Sequence, residues 1–189
     1  MKTPLALAAL LAAPCLLAGP FNVANLSMGD ICKFTVASDG VTQDFILSFG
    51  QTSGTFFLPE KKASLSVDSQ GKPSVDIPAA AHPRLAILHK VDDKLEFRII
   101  ESKPSPDKWT FRILNLGSEA ITIGHGKDSH EIPAGAETSP AIKGRNDIRF
   151  TTPDGTAHAI PAKETEPTSV LAVLIRSEEG WHVSFVMDR

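Results

Sequence analysis

From residue 21 onward, short apolar or alternating runs are separated by turn residues, with no sustained helical period. Residues 95–99 and 181–185 alternate strictly between apolar and polar positions. Because successive side chains of a strand point to opposite faces, this alternation predicts strands with one buried face. The unbroken apolar run at residues 170–175 predicts a strand covered on both faces. Since 14 prolines also disfavour long helices, we predict an all-β protein.

Parts of this pattern occur twice along the chain. Five pairs of segments match in order: Asn25-Leu26 with Asn115-Leu116, Leu58-Pro59 with Ile132-Pro133, Ile77-Pro78 with Ile160-Pro161, residues 85–90 with 170–176, and residues 92–95 with 178–181. The second match requires an insertion in the first half of the chain. We predict an internal repeat in which one β module is used twice, and chance similarity between short β segments is the alternative.

Pro104 and Pro106 mark the boundary that such a repeat would have. They lie among polar residues at 102–107, and proline cannot continue a central β-ladder, so this stretch is typical of an extended linker. We therefore predict two tandem antiparallel Ig-like β-sandwich modules, at residues 20–103 and 108–189. The extra residues of the first module predict an additional hairpin around 44–58.

That predicted hairpin is rich in phenylalanine, with Phe45, Phe49, Phe56 and Phe57 close together in the sequence. One interpretation places these rings in the core or in the packing between the two halves. The other makes them an exposed apolar patch that binds a partner.

Residues 1–19 have the pattern of a secretory signal peptide. Lys2 precedes an uncharged apolar run at 4–18, which is shorter than the ~20 residues that a transmembrane helix needs. Cys15 also suggests a lipoprotein anchor, although Pro14 fits that motif badly, and a buried N-terminal helix is a third interpretation. We predict export to the periplasm or cell exterior, with no transmembrane segment once the signal is removed.

Cys32 is the one cysteine that remains after signal removal. A single thiol cannot form an internal disulfide, so the fold must be held by its apolar core. We expect Cys32 to be a small buried residue of that core.

Composition and motifs exclude several functions. The formal net charge is −3 and the basic residues are scattered, which disfavours nucleic acid as a partner. The sequence contains no nucleophile elbow, no HExxH motif, no glycine-rich phosphate loop and no paired cysteines. We therefore expect neither catalysis nor a cofactor. Trp109 and Trp181 each begin an alternating strand, which favours core packing over stacking against sugars.

His125 and His130 form the most suggestive polar pair. They flank four residues, and a four-residue hairpin loop would place them directly opposite one another, with Cβ atoms ~5 Å apart. Two imidazoles at that distance can share a zinc or copper ion, with Asp128 or Glu131 as further ligands and His158 in the following hairpin. A solvated polar hairpin tip is the alternative.

One family resemblance rests on Phe111-Arg112-Ile113-Leu114-Asn115 and the turn Ile132-Pro133-Ala134-Gly135. This pattern resembles secreted bacterial β-sandwich modules of unknown function and is similar to accessory proteins of bacterial exopolysaccharide acetylation. The likeness covers residues 111–135 and implies architecture and export more than activity. We therefore predict an exported, non-catalytic binding or structural protein of the cell envelope, with an envelope protein or polysaccharide as partner. A metal-binding β protein is the alternative.

Overall fold

The computed structural model describes residues 19–29, 31–57, 63–68, 71–78, 80, 82–103, 110–125, 127–139, 148–160 and 169–188. The predicted signal peptide up to residue 18, Trp109, and most of the predicted linker lie outside these ranges. Within them the protein is all-β and has no helix, so the predicted fold class is confirmed at this level. No described segment is a helix long and apolar enough to cross a membrane.

The described ranges contain fifteen strands: β1 (Phe21–Leu26), β2 (Cys32–Ser38), β3 (Val41–Leu47), β4 (Ala63–Val67), β5 (Ser74–Ile77), β6 (Arg84–Val91), β7 (Lys94–Glu101), β8 (Thr110–Asn115), β9 (Ile121–His125), β10 (Asp128–Ile132), β11 (Glu137–Thr138), β12 (Ile148–Thr151), β13 (Ala157–Ile160), β14 (Ser169–Ser177) and β15 (Gly180–Asp188). They form four sheets. The first inner sheet has the order β1-β6-β7, and the first outer sheet has the order β3-β2-β4-β5. The second inner sheet is β11-β8-β14-β15, and the second outer sheet is β10-β9-β12-β13.

The sheets stack in the sequence outer, inner, inner, outer, with an apolar cluster in each of the three gaps. Phe34 and Leu65 of the first outer sheet pack with Val23 and Leu88 of the first inner sheet. A third cluster, which includes Ile123, fills the gap between the second inner and second outer sheets. The middle cluster joins the two inner sheets, so the two halves of the chain are packed against each other through apolar side chains.

Strand β14 shows why the inner sheets need cover on both faces. Leu171, Val173 and Ile175 belong to the middle cluster, whereas Val170, Ala172 and Leu174 belong to the third. All six side chains are buried, as the unbroken apolar run predicted. Strand β6 is divided in the same way, because Leu85 and Ile87 face the middle cluster while Ala86 and Leu88 face the first.

The inner sheets of the two halves also have related strand orders. Strand β1 runs parallel to β6, and β8 runs parallel to β14, while β6 and β14 each form an antiparallel hairpin with the strand that follows. The prediction of antiparallel modules is therefore wrong at these two strand pairs, where the first strand of each half returns beside a strand distant in sequence. Each outer sheet places the second strand of its half between the third strand and a later one, which is β4 in the first half and β12 in the second.

Asn25 and Asn115 close equivalent corners of the two halves. Each is fully buried, and its Oδ1 accepts the backbone N–H two residues later, at Ser27 or Gly117. Asn25 Nδ2 donates to the carbonyl of Leu47 at 2.8 Å, and Asn115 Nδ2 donates to that of Ile132 at 3.1 Å. These bonds tie the end of an inner strand to the end of an outer-sheet edge strand.

The turn beyond each corner corrects one of the sequence matches. Gly50 N–H donates to the Asn25 carbonyl, and Gly135 N–H donates to the Asn115 carbonyl, with φ of 78° and 69° at the two glycines. Only glycine adopts this left-handed backbone readily. The shared bonds put Leu47, rather than Leu58, in the position of Ile132. The match of Leu58-Pro59 with Ile132-Pro133 is therefore wrong, and Leu58 and Pro59 themselves lie outside the described residues.

Arg112 and Glu137 of the second half make polar contacts with the end of the first half. Arg112 of β8 has a side chain only 4% exposed, and it donates to the Glu137 carboxylate at 2.5 Å and to the Glu101 carbonyl at 3.1 Å. Lys103, from the end of the first half, reaches the same carboxylate at 2.6 Å. Burial alone would raise the pKa of Glu137, but the hydrogen bonds from Lys103 and Arg112 outweigh it and leave that pKa below its usual value.

Candidate partner-binding groove

An apolar depression lies at one edge of the first half. Its two rims are β3, the terminal strand of the first outer sheet, and residues 51–57, which run along β1 at the edge of the first inner sheet. We call residues 51–57 the rim segment and the depression the groove. The groove therefore opens between the edges of two facing sheets.

The rim segment is held by backbone hydrogen bonds to β1. Phe56 and Phe21 exchange N–H···O bonds of 2.8 and 3.0 Å, and the Ser53 N–H donates to the Val23 carbonyl at 2.8 Å. At the other end, the Asn25 N–H donates to the carbonyl of Gln51 at 3.0 Å. The predicted hairpin at 44–58 is therefore wrong. Its two arms pair with β2 and β1, in different sheets, rather than with each other.

Aromatic rings build the floor of the groove. The centroids of Phe45 and Phe56 lie 5.0 Å apart, and this pair bridges the two sheets. Phe45 stacks on Phe34 at 5.3 Å, and Phe56 stacks on Phe21 at 5.1 Å. Since Phe21 and Phe34 are fully buried, the floor is continuous with the first apolar cluster and is preformed.

The four predicted phenylalanines divide into two pairs. Phe45 and Phe56 are half-buried in the floor and pack against the first cluster. Phe57 is 77% exposed on the rim, and Phe49 is 38% exposed at the turn between β3 and the rim segment. None belongs to the cluster that joins the two halves, so packing between the halves does not explain them.

The groove has a volume of about 720 Å³ and a mostly apolar lining. Val41, Phe45, Leu47 and Phe57 are among its apolar side chains, and Asp39 is the ionisable residue that lines it. Val41 is 71% exposed, which is high for an apolar residue on a strand. Such an apolar concave surface is typical of a binding site.

Asp44 of β3 lies on the opposite face, away from the groove. Its carboxylate is 2.8 Å from Lys33 Nζ and accepts a 2.7 Å hydrogen bond from Thr35 Oγ1. The hydrogen bonds from Lys33 and Thr35 hold the pKa of Asp44 below its usual value. Both side chains of this pair are about half exposed, so Asp44 stays charged on the outer face of β3.

The histidine hairpin differs from the predicted geometry. The connection is two residues long, so His125 pairs with Asp128 and His130 pairs with Ile123. The expectation of directly opposed histidines is therefore wrong, and their positions are diagonal across the hairpin, where Cα atoms are ~7–8 Å apart. Within the described ranges, no group of three or more histidine, cysteine, aspartate and glutamate side chains could hold a metal ion. Metal binding by this pair stays a prediction.

Two other histidines make contacts that the sequence did not indicate. His158 stacks on Phe150, and its Nε2 lies 3.2 Å from Thr152 Oγ1, which also contacts the Asp154 carboxylate at 2.7 Å. Burial lowers the pKa of His158 despite the nearby Asp154 charge. These residues close the β12–β13 turn, because the same carboxylate accepts the Thr156 N–H at 3.0 Å.

His182 and Ser177 face one another across the β14–β15 hairpin at 2.9 Å. This distance matches a hydroxyl nucleophile beside a base. However, Ser177 Oγ also accepts the Glu179 N–H at 3.1 Å, which is the geometry of a serine-stabilised turn. No carboxylate in the described part of the chain hydrogen-bonds His182.

Cys32 and Trp181 lie where the sequence placed them. Cys32 is 2% exposed within the first cluster, and its Sγ is 3.6 Å from Ser27 Oγ. Trp181 is half-buried against the third cluster, with the Arg176 guanidinium over its ring at 5.6 Å. Both side chains therefore pack with the apolar clusters of the fold.

A second cleft, of about 690 Å³, lies between the β6–β7 and β14–β15 turns. It is lined by Asp92 and Asp93 from one turn and by Glu178 and Glu179 from the other, with Arg176 nearby. Its charged lining distinguishes it from the apolar groove.

No known protein family and no curated protein matches the chain in sequence. Among solved structures, it is similar to the Bacillus anthracis TIE protein, at 10% identity and a TM-score of 0.30 over 90% of this chain and 44% of that chain. It thus spans less than half of that protein's length. It is also similar to a "putative cell adhesion protein" from Bacteroides uniformis ATCC 8492, at 12% identity and a TM-score of 0.22 over 90% of this chain and 96% of the other. At such low TM-scores, neither likeness identifies a function.

Proposed function

We propose that this chain is an exported, non-catalytic binding or structural protein of the bacterial cell envelope. It binds its partner, an envelope protein or polysaccharide, through the groove of its first half. The observation that carries this proposal is the open apolar groove itself, with Phe45 and Phe56 as its floor and Phe57 exposed on its rim. Preformed apolar concavities of this size are rare on surfaces that contact only water.

We further propose that the protein consists of two tandem Ig-like β-sandwiches derived from an internal repeat. The related strand orders and the matching corners at Asn25 and Asn115 support this interpretation. The middle apolar cluster would then hold the two sandwiches in a fixed relative orientation. A fixed pair of modules suits a structural or adhesive role, because it presents the groove at a constant angle.

The absence of catalysis is part of the proposal. Among the described residues, His158 and His182 each contact a hydroxyl within a hairpin turn, and both contacts support those turns. Asp39 is the ionisable residue of the groove lining, and general acid–base chemistry ordinarily needs a positioned pair of groups.

Cosedimentation with envelope fragments from the native host tests the binding function. The purified protein is compared with Phe57→Ser, and Phe185→Ser serves as the control because Phe185 is 39% exposed on β15, outside the groove lining. We expect the wild type and the control to sediment with the envelope, and Phe57→Ser to remain in the supernatant. Equal sedimentation of all three proteins, or of none, would contradict the proposal.

A further inference from the structure

The groove is bounded by two strand edges that run along the same side of the sandwich. Strand β3 pairs with β2 on one side and has no strand on the other within the described ranges. The rim segment pairs with β1 through Phe56 and Thr52, as the edge of the facing sheet. Facing sheets lie ~10 Å apart and adjacent strands ~4.8 Å apart, so the groove mouth has room for one added strand.

The side chains of β3 alternate in a way that suits such an addition. Val41, Gln43, Phe45 and Leu47 line the groove from one face of β3, whereas Asp44 points to the opposite face. Ile46 alternates with Asp44 along the strand and also borders the groove. A strand laid beside β3 would therefore place every second side chain over the Phe45–Phe56 floor. Its backbone would continue the ladder of the first outer sheet.

The charge of the groove restricts what the added strand can carry. Asp39 is the ionisable residue of the lining, and it sits at the β2–β3 turn, at one end of the groove. Side chains that enter the middle of the groove must therefore be uncharged, since a buried charge would have no partner there.

A second copy of this chain is a poor occupant for the whole edge. Antiparallel pairing of all seven residues of β3 with themselves is centred on Asp44 and places the two Asp44 residues opposite one another. Like charges in directly opposed positions are destabilising. A segment with a different sequence avoids this cost.

We propose that the groove binds an extended polypeptide segment of a partner protein, as an extra strand beside β3. The segment is uncharged and apolar at alternate positions, and its apolar side chains cover the floor formed by Phe45 and Phe56. This inference rests on the proposed function and narrows its partner to a protein.

Backbone amide NMR of the full chain, without its signal segment, tests this inference. The probe is a pool of peptides about as long as β3, with apolar residues at alternate positions, neutral residues between them and charged residues only at the ends. The control pool carries aspartate at the alternate positions. We expect the first pool to shift amide signals of β3 and the rim segment and to slow their hydrogen exchange about tenfold, leaving β10 unchanged.

Two matched variants test whether the peptides bind at β3. Gln43→Glu puts a charge on the exposed groove face of β3, and Ser129→Glu puts the same charge on the exposed edge strand of the second half. We expect Gln43→Glu to weaken peptide binding about tenfold and Ser129→Glu to leave it unchanged.

Three outcomes would overturn the inference. The first is an equal change in the β3 amide signals with both peptide pools, and the second is no change with the apolar pool. The third is hydrogen-exchange protection of β3 that rises with protein concentration in the absence of peptide, which would identify a second copy as the occupant. If the apolar pool fails while cosedimentation with envelope fragments still depends on Phe57 and survives protease treatment of those fragments, the proposed function stands with polysaccharide as its partner.

Discussion

Strands β3 and β10 hold the same place in the two halves, at the free end of an outer sheet, yet their surfaces differ. Strand β3 is seven residues long and exposes Val41 and Ile46 by 71% and 66%. Strand β10 has five residues, Asp-Ser-His-Glu-Ile, and exposes Ser129 and Glu131. Short, polar edge strands protect β-proteins from unwanted pairing with other chains. The second half follows this rule and the first half does not.

The difference shows that one scaffold position can serve two purposes. At both positions, a buried asparagine ties the end of the edge strand to the inner sheet. In the second half this anchors a polar hairpin, whereas in the first half it anchors the wall of an apolar groove. The groove is therefore a local feature built on shared architecture, and changes in sequence at β3 can remove it without disturbing the fold.

The largest expected effect on stability comes from Phe34, whose ring lies beneath the groove floor. Phe34 is fully buried, so Phe34→Ala should lower the free energy of unfolding by about 3–5 kcal/mol. Phe150→Ala in the second half should cost a similar amount, because Phe150 is 2% exposed. Chemical denaturation measures both changes. Only Phe34→Ala should also weaken partner binding, because it removes the ring on which Phe45 stacks. Equal loss of binding in both variants would contradict the placement of the groove.

The asparagine corners test the likeness of the two halves. Asn25→Ala and Asn115→Ala each leave buried backbone groups without a hydrogen-bond partner, so each should cost about 2 kcal/mol of unfolding free energy. Denaturant titrations of the two single variants check this. A cost of nearly zero at either site would show that the two corners are not equivalent.

Much of the fold was predictable because burial leaves a direct trace in the sequence. Alternation in residues 95–99 identified a half-buried strand, and the unbroken run at 170–175 identified one covered on both faces. That run, with its counterpart in β6, already requires a layer on each side of the inner sheets. The equivalence of Leu47 with Ile132 was not predictable, because backbone hydrogen bonds define it and the two turns share only a glycine.

The candidate site was predictable only in part. The concentration of phenylalanines was visible in the sequence, but its division into floor and rim was not. That division arises because the chain crosses from the outer to the inner sheet after Leu47, and residues 51–56 then pair with a strand about thirty positions earlier. The register of His125 likewise depends on a tight two-residue turn, for which the Gly-Lys pair at 126–127 is a sequence signal that the prediction of a four-residue loop overlooked.

The ion pairs at Glu137 and Asp44 should contribute differently to the pH dependence of stability. The pKa of Glu137 is lowered in the folded protein, so its stabilisation is present above the unfolded-state pKa and is lost as the pH falls through the folded-state value. Glu137→Gln should cost about 1 kcal/mol near neutral pH, because buried Arg112 loses its charged partner, and the cost should shrink in acid. Asp44→Asn on exposed β3 is the control and should change stability little. Chemical denaturation of both variants, repeated from neutral pH down into acid, checks these expectations. If the unfolding free energy of Glu137→Gln falls with pH as steeply as that of the wild type, the proposed role of the carboxylate is contradicted.

Lysine residues on β3 should make this edge strand resist strand addition, as the polar strand β10 does. The double variant Val41→Lys and Ile46→Lys alters exposed side chains, so its stability should stay within about 0.5 kcal/mol of wild type. Its binding to envelope fragments should nevertheless be lost, since lysine on an edge strand discourages strand addition. Ser129→Lys on β10 is the matched control. Retained binding in the double variant would show that the β3 edge is not the contact surface.

The smallest expected effect concerns metal. With His125 and His130 diagonal across their hairpin, we expect added zinc or copper to leave the melting temperature unchanged. Elemental analysis of protein purified without chelator, together with calorimetry, checks this. Stoichiometric metal that disappears in His125→Ala would revive the metal-binding alternative.

The most direct test of the central claim is photo-cross-linking in the native host. A photoreactive residue replaces Phe57 on the rim of the groove, and in a second protein it replaces Glu131 on the edge strand of the second half. We predict a discrete cross-linked partner from position 57 that is absent when Val41→Lys and Ile46→Lys are also present, and no such product from position 131. Equal products from the two positions, or none from position 57, would contradict the claim that the open edge of the first half is the binding surface.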